Sequence, residues 1–110
     1  MRLLLAWVIL IIAGLFEVMW ATAMKQSHGF SRLWPSIVTI GGMLISFGLL
    51  SWSMRLLPLG TAYTVWTGIG AVGAFLVGIA ILDEAATPAR LFAALLIISG
   101  LILMKLSSQG

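Results

Sequence analysis

Apolar residues fall into four long runs, Leu3–Met24, Leu33–Met54, Leu59–Leu82 and Ala89–Leu106, separated by three short polar breaks. At 1.5 Å per residue each run approaches or exceeds the roughly 30 Å of a bilayer's hydrocarbon core, the fourth with the least to spare. Lipid-exposed backbone must satisfy its own hydrogen bonds, which favours helices, and the runs lack the alternation of a membrane barrel. The pattern predicts an all-α membrane protein, with four transmembrane helices per protomer in a single domain, residues 1–110.

The breaks carry start and stop signals. The first runs from Lys25 to Arg32, and Pro35 then falls in the first turn of helix two, where its missing N–H costs nothing. Arg55 to Pro58 makes the second break. In the third, Asp83 to Arg90, Thr87 is a helix cap and Pro88 the first helical residue. Ser107 to Gly110 form a polar tail. Arg2 ahead of an apolar run and the small residues Ala21-Thr22-Ala23 imitate a signal peptide, but Glu17 interrupts the run and three more spans follow. No loop is long enough to hold a soluble domain, so function is expected inside the helices.

Composition narrows the chemistry. The chain is 62% hydrophobic and only 8% charged, and it has no cysteine, which removes disulfides, zinc–thiolate sites and thiol catalysis. The net charge of +3 comes from basic residues scattered singly at helix ends, a pattern of interfacial anchors with no cluster for nucleic acid. With four spans, Arg2, Arg55 and Lys105 share one side of the membrane, and Lys25, Arg32 and Arg90 share the other, three against three. The positive-inside rule then sets no orientation. An even tally also arises by chance in so small a set. Its functional reading is dual topology: copies insert both ways and pair as an antiparallel homodimer, with the inverted symmetry that alternating access uses.

Glu17 stands out because it lies in the middle of the first run with no Lys or Arg inside that run to pair with. A carboxylate at that depth costs about 3 kcal/mol on insertion scales, so a chain that keeps one is expected to use it. Leu10, Ala13, Gly14, Ala21 and Met24 share its helical face, and these mostly small residues permit close approach. Trp20, one turn on, is either an indole donor to the carboxylate or an interfacial belt residue. Helix two offers Thr39, Gly42, Met43, Ser46 and Phe47. Ser46 is a candidate hydroxyl donor to a carboxylate, or else is satisfied by its own backbone. Tyr63, Trp66, Thr67 and Gly70 lie along helix three; aromatics with a polar handle suit a cation, while Tyr63 also fits an interfacial anchor and Trp66 plain packing.

Gly68-Ile69-Gly70-Ala71-Val72-Gly73 has the G-x-G-x-x-G spacing of a dinucleotide loop, but it sits inside an apolar span rather than after a strand. Its glycines mean close packing or a kink, and a kink at Gly68 and Gly70 would let one helix take two shapes. Ala93 and Gly100, seven apart on helix four, are small residues that suit a helix–helix contact seam. His28, Asp83 and Glu84 read as solvated loop groups. The spans contain no metal-ligand set and no nucleophile–base pair, so neither an enzyme nor a metal or other cofactor is expected.

Burial disfavours the charged form of a carboxyl group, and a second carboxyl nearby adds to this, so a pair of Glu17 residues would hold protons or a cation in competition. Coupled to a change of facing, that competition makes an antiporter. Two carboxylates with fixed donors suit a planar, multi-donor cation such as guanidinium.

The chain resembles the small multidrug resistance family over essentially its full length, through Gly14-Leu15-Phe16-Glu17, Gly29-Phe30-Ser31-Arg32, Trp34-Pro35-Ser36 and Gly60-Thr61-Ala62-Tyr63-Thr64-Val65-Trp66-Thr67-Gly68-Ile69-Gly70. Trp20, Ser46 and the run Leu57 to Tyr63 resemble its guanidinium-exporting subtype. The resemblance implies an antiparallel homodimer in a bacterial inner membrane that exports guanidinium in exchange for protons. It implies Glu17 as the shared proton and substrate site, oriented by Trp20 and Ser46, lined by Tyr63 and Trp66, with Gly14 allowing close approach. It implies a kink at Gly68 to Gly70 and a dimer seam along helix four, where Ala93 replaces a glycine of some relatives. The alternative is a multidrug exporter of lipophilic quaternary ammonium ions, a subtype that tends to carry a small residue in place of Trp20. A non-transporting membrane subunit that uses Glu17 to bind a partner helix, and a passive cation channel, are the readings from other classes.

Overall fold

The computed structural model describes residues 2–107, so most of the polar tail lies outside the described residues. Four helices follow in order: α1 (Arg2–Gln26), α2 (Leu33–Ser53), α3 (Leu59–Ile81) and α4 (Pro88–Ser107). All four are long and apolar enough to cross a membrane. The α1 helix runs one half-turn past the apolar stretch to include Lys25 and Gln26, because the stop signal is Ser27 rather than the first charge. The Ser27 hydroxyl donates to the Met24 carbonyl at 2.6 Å and accepts the Phe30 N–H at 3.0 Å. His28, Gly29 and Phe30 all then take left-handed backbone angles that reverse the chain. At the other break, the Thr87 hydroxyl accepts the Arg90 N–H at 3.2 Å and Pro88 opens α4, as their residue types predict.

Helix α1 is the hub, packed on α2 and α3, while α4 packs its backbone against α3 alone. The core gathers Ala6, Trp7, Leu10 and Ala13 of α1, Leu50 of α2, Leu57, and Ala62, Val65 and Trp66 of α3. Small residues set the spacing. A side chain added at Gly14 would strike Ile69, one at Gly42 would strike Met19 and Trp20, and one at Gly68 would strike Leu101. Two serines seven residues apart pin α2 to α1: Ser46 donates to the Ala13 carbonyl at 2.7 Å and Ser53 to the Ala6 carbonyl at 3.2 Å. In a medium without water such interhelical bonds are modest, about 0.6 kcal/mol on average, but they fix register. The α4 helix, in contrast, buries no residue.

Candidate functional site

Glu17 faces α3 from the middle of α1. Gly70 lies directly against it: any side chain there would overlap the Glu17 carboxylate. The glycine of the G-x-G-x-x-G run is thus a recess for an acidic group, and α3 is continuous as helix through both Gly68 and Gly70. The Glu17 Oε1 atom is buried and has no hydrogen-bond partner among the described residues, nor does Glu17 form an ion pair there. A buried acceptor left unpaired costs free energy, about 1–3 kcal/mol for an ordinary polar group and more for a charge. Such an atom either carries a proton or waits for a cation or donor from outside the protomer.

Trp20, one helical turn from Glu17, begins a row of aromatic rings. Trp20 meets Phe47 edge-on at 6.1 Å between centroids, Phe47 meets Trp66 at 5.8 Å, and Trp66 meets Tyr63 at 5.7 Å. The sequence singled out Trp20, Tyr63 and Trp66 as candidates; it gave no role to Phe47, the ring that joins α1 to α3 through α2. Its period alone, one residue after Ser46 on a face shared with Thr39 and Gly42, was the available signal.

The donors are placed differently from the arrangement expected of them. Trp20 Nε1 is buried without a partner, so it does not donate to Glu17 in this conformation. The Ser46 hydroxyl gives its hydrogen to the Ala13 carbonyl and accepts the Trp66 indole N–H at 2.9 Å. The physical reason is proximity: Ser46 is fully buried against α1 one turn before Glu17, where a backbone carbonyl offers an acceptor already in place. Trp66, only 6% exposed, therefore hydrogen-bonds as well as packs. Gly14 stands against Ile69 rather than the carboxylate, holding α1 close to α3.

Tyr63 is exposed and lines an open groove of about 510 Å³ between α3 and α4, with Thr64, Thr67, Gly68, Gly100 and Leu101 among its walls. Gly100 has no neighbour within 4 Å of where its side chain would begin, and Ala93 is exposed. Ala93 and Gly100 are thus both uncovered in the single chain. Among the described residues no group of three or more His, Cys, Asp or Glu could hold a metal.

Asp83 and Glu84, exposed as loop charges should be, form a surface cluster with Arg90. The Asp83 backbone is left-handed, and it folds the chain back so that the Glu84 N–H donates to the Gly78 carbonyl at 3.0 Å. The Glu84 carboxylate lies on Gly78 and faces Arg90 at 3.7 Å. No residue-type pattern announces this contact, since it depends on a glycine five residues before the turn.

The fold and site define a multi-pass helical membrane protein with an unpaired carboxylate recessed at mid-span. Residues 5–98 match the family model described as Small Multidrug Resistance protein, and the chain belongs to that family. It is 60% identical over 105 residues to the "Guanidinium exporter" of Salmonella typhimurium (strain LT2), covering 96% of this chain and all of that protein. The proteins of the same name from Klebsiella oxytoca and Escherichia coli (strain K12) are 58% and 56% identical over the same 105 residues, again covering 96% of this chain and all of each relative. With these bacterial relatives and its four apolar helices, the chain is a multi-pass transport protein of the bacterial inner membrane.

Proposed function

We propose that the protein exports guanidinium and small substituted guanidinium ions in exchange for protons, by alternating access in an antiparallel homodimer. The observation that carries this reading is the unpaired Glu17 oxygen recessed against Gly70, one helical turn from Trp20 at the head of the aromatic row. Its chemistry needs an outside partner, and the full-length similarity to proteins named as guanidinium exporters indicates which one. Guanidinium is planar and offers parallel N–H donors that match a carboxylate, and its faces stack on aromatic rings.

In the proposed cycle each protomer contributes one Glu17 near the midplane. Ionised carboxylates bind the cation, and protonation releases it. If the protein changes facing only when loaded, two protons enter for each guanidinium that leaves. One net charge then moves inward per cycle, worth about 2.3 kcal/mol per 100 mV of membrane potential. Trp20 and Ser46 orient the carboxylate in the loaded state, which requires the Ser46 hydroxyl to turn from the Ala13 carbonyl to Glu17. Tyr63 and Trp66 line the cargo path, Gly68 and Gly70 let α3 bend, and the exposed Ala93–Gly100 edge of α4 supports the dimer.

Currents from purified protein on solid-supported membranes test the reading. Guanidinium should drive a pH-dependent current, and a bulky quaternary ammonium ion should drive one at least about tenfold smaller at equal concentration. Comparable currents from both ions would favour the multidrug alternative; no guanidinium current would overturn the proposal.

A further inference from the structure

The side chain of Arg90 is itself a guanidinium group, and the protein has built a receptor around it. Its Cζ atom lies over the Phe75 ring at 5.0 Å, one terminal nitrogen donates to the Ala85 carbonyl, and the other faces Glu84 Oε1 at 3.7 Å. A carboxylate, a carbonyl and an aromatic face are the three groups a planar, delocalised cation prefers. The carboxylate is positioned by the protein: Glu84 is folded back by the Asp83 turn, tied by its N–H to the Gly78 carbonyl, and seated where Gly78 alone leaves room.

The cluster also borders a groove: Phe75, Glu84 and Arg90 line a space of about 280 Å³ together with Ala21, Ala71 and Ala74. Ala21 lies one helical turn beyond Glu17, and Ala71 follows the Gly70 that receives the Glu17 carboxylate. The groove at the Arg90 cluster is therefore lined in part by a residue one turn from Glu17 on α1 and by the neighbour of Gly70 on α3. Its lining carries two cations, Lys25 and Arg90, and a single anion, Glu84. A cationic cargo entering or leaving here has one carboxylate to approach, and Arg90 already occupies it.

We propose that Glu84, the Ala85 carbonyl and the Phe75 ring form a peripheral staging site for guanidinium cargo, held between cargo ions by the side chain of Arg90. The inference rests on guanidinium being the cargo. Arg90 and Glu84 are each 41% exposed, and ion pairs that exposed are weak, so a free guanidinium ion can displace the tethered one. Arg90 then acts as a competitor at the high local concentration a short tether gives, which keeps the staging site in a weak-binding range. Cargo is caught and passed on without being trapped.

The two partners make opposite predictions. Glu84→Gln removes the anion that receives cargo and should raise the KM for guanidinium by about three- to tenfold, with kcat changed much less. Arg90→Ala removes the competitor and should lower KM by about two- to fivefold. The double variant should behave like Glu84→Gln alone, because a competitor has nothing to compete for. Arg90→Lys, which keeps the charge but lacks the planar fork, should fall between wild type and Arg90→Ala and carries the comparison if the alanine variant proves unstable. A merely structural ion pair gives another pattern: both single variants shift KM and thermal stability in the same direction. That pattern, or an unchanged KM in both, overturns the staging site while leaving guanidinium transport intact. Absence of a guanidinium current in the wild-type protein overturns the transport reading itself and the staging site with it.

Discussion

The α1–α2 interface and the α4 helix are built from similar apolar residues, yet the protomer treats them in opposite ways. Along α1 and α2, glycines let backbones approach, Ser46 and Ser53 donate across to α1 carbonyls, and Leu10, Thr39 and Ser46 are fully buried. Along α4 nothing is buried, and Phe92, Leu95, Leu96, Ile102 and Leu103 stand exposed. The difference teaches that α1, α2 and α3 supply all the buried contacts near Glu17, whereas α4 supplies none, although the outer faces of all four helices are apolar and exposed. In the proposed dimer the second copy covers α4.

The contrast can be broken most severely at Gly70. Gly70→Ala places a methyl group on the Glu17 carboxylate, so guanidinium transport should fall by at least about 100-fold while the protein still inserts, as read by vesicle flux against membrane yield. At Gly100 the protomer has open space, so Gly100→Leu should leave the isolated helix bundle unstrained. If α4 is the seam, that substitution should lower the dimer fraction in detergent by about tenfold, measured by cross-linking yield; an unchanged fraction would assign the seam elsewhere. The smallest effect is expected at Ser46. Ser46→Ala leaves the Trp66 indole N–H without its acceptor and should cost about 1 kcal/mol in thermal unfolding, while shifting the pH dependence of guanidinium binding because one donor to the ionised carboxylate is lost. Ser53→Ala, which removes a donated bond to the Ala6 carbonyl but orphans no buried N–H, should cost less stability and leave the pH dependence unchanged.

Most of the fold was legible because lipid imposes one rule on every span. Apolar length alone placed all four helices, and Pro35, Thr87 and Pro88 placed two of the starts within a residue or two. Glu17 was legible for the same reason, as a charge where the medium forbids one. What the sequence hid were contacts between residues distant in the chain. Ser46 reads as a donor, but only packing decides that it reaches Ala13, 33 residues away. Phe47 looks like one more lipid-facing ring until Trp20 and Trp66 close on either side of it. Glu84 is solvated as its loop position suggests, but its pairing with Arg90 depends on a left-handed Asp83 and a small Gly78 that the residue types do not announce. Gly70 was legible as a special position but not in its task, since a recess for a carboxylate and a hinge call for the same residue.

Proton release on guanidinium binding tests the central claim most directly. Protein in weakly buffered detergent, mixed with guanidinium chloride and followed by a pH dye, should release protons in proportion to bound cation, and affinity should weaken as pH falls, by up to about tenfold per pH unit for each proton displaced. Glu17→Gln should neither bind nor release. Binding that survives in Glu17→Gln, or that proceeds in the wild type with no proton released across the acidic range, would contradict a shared carboxylate.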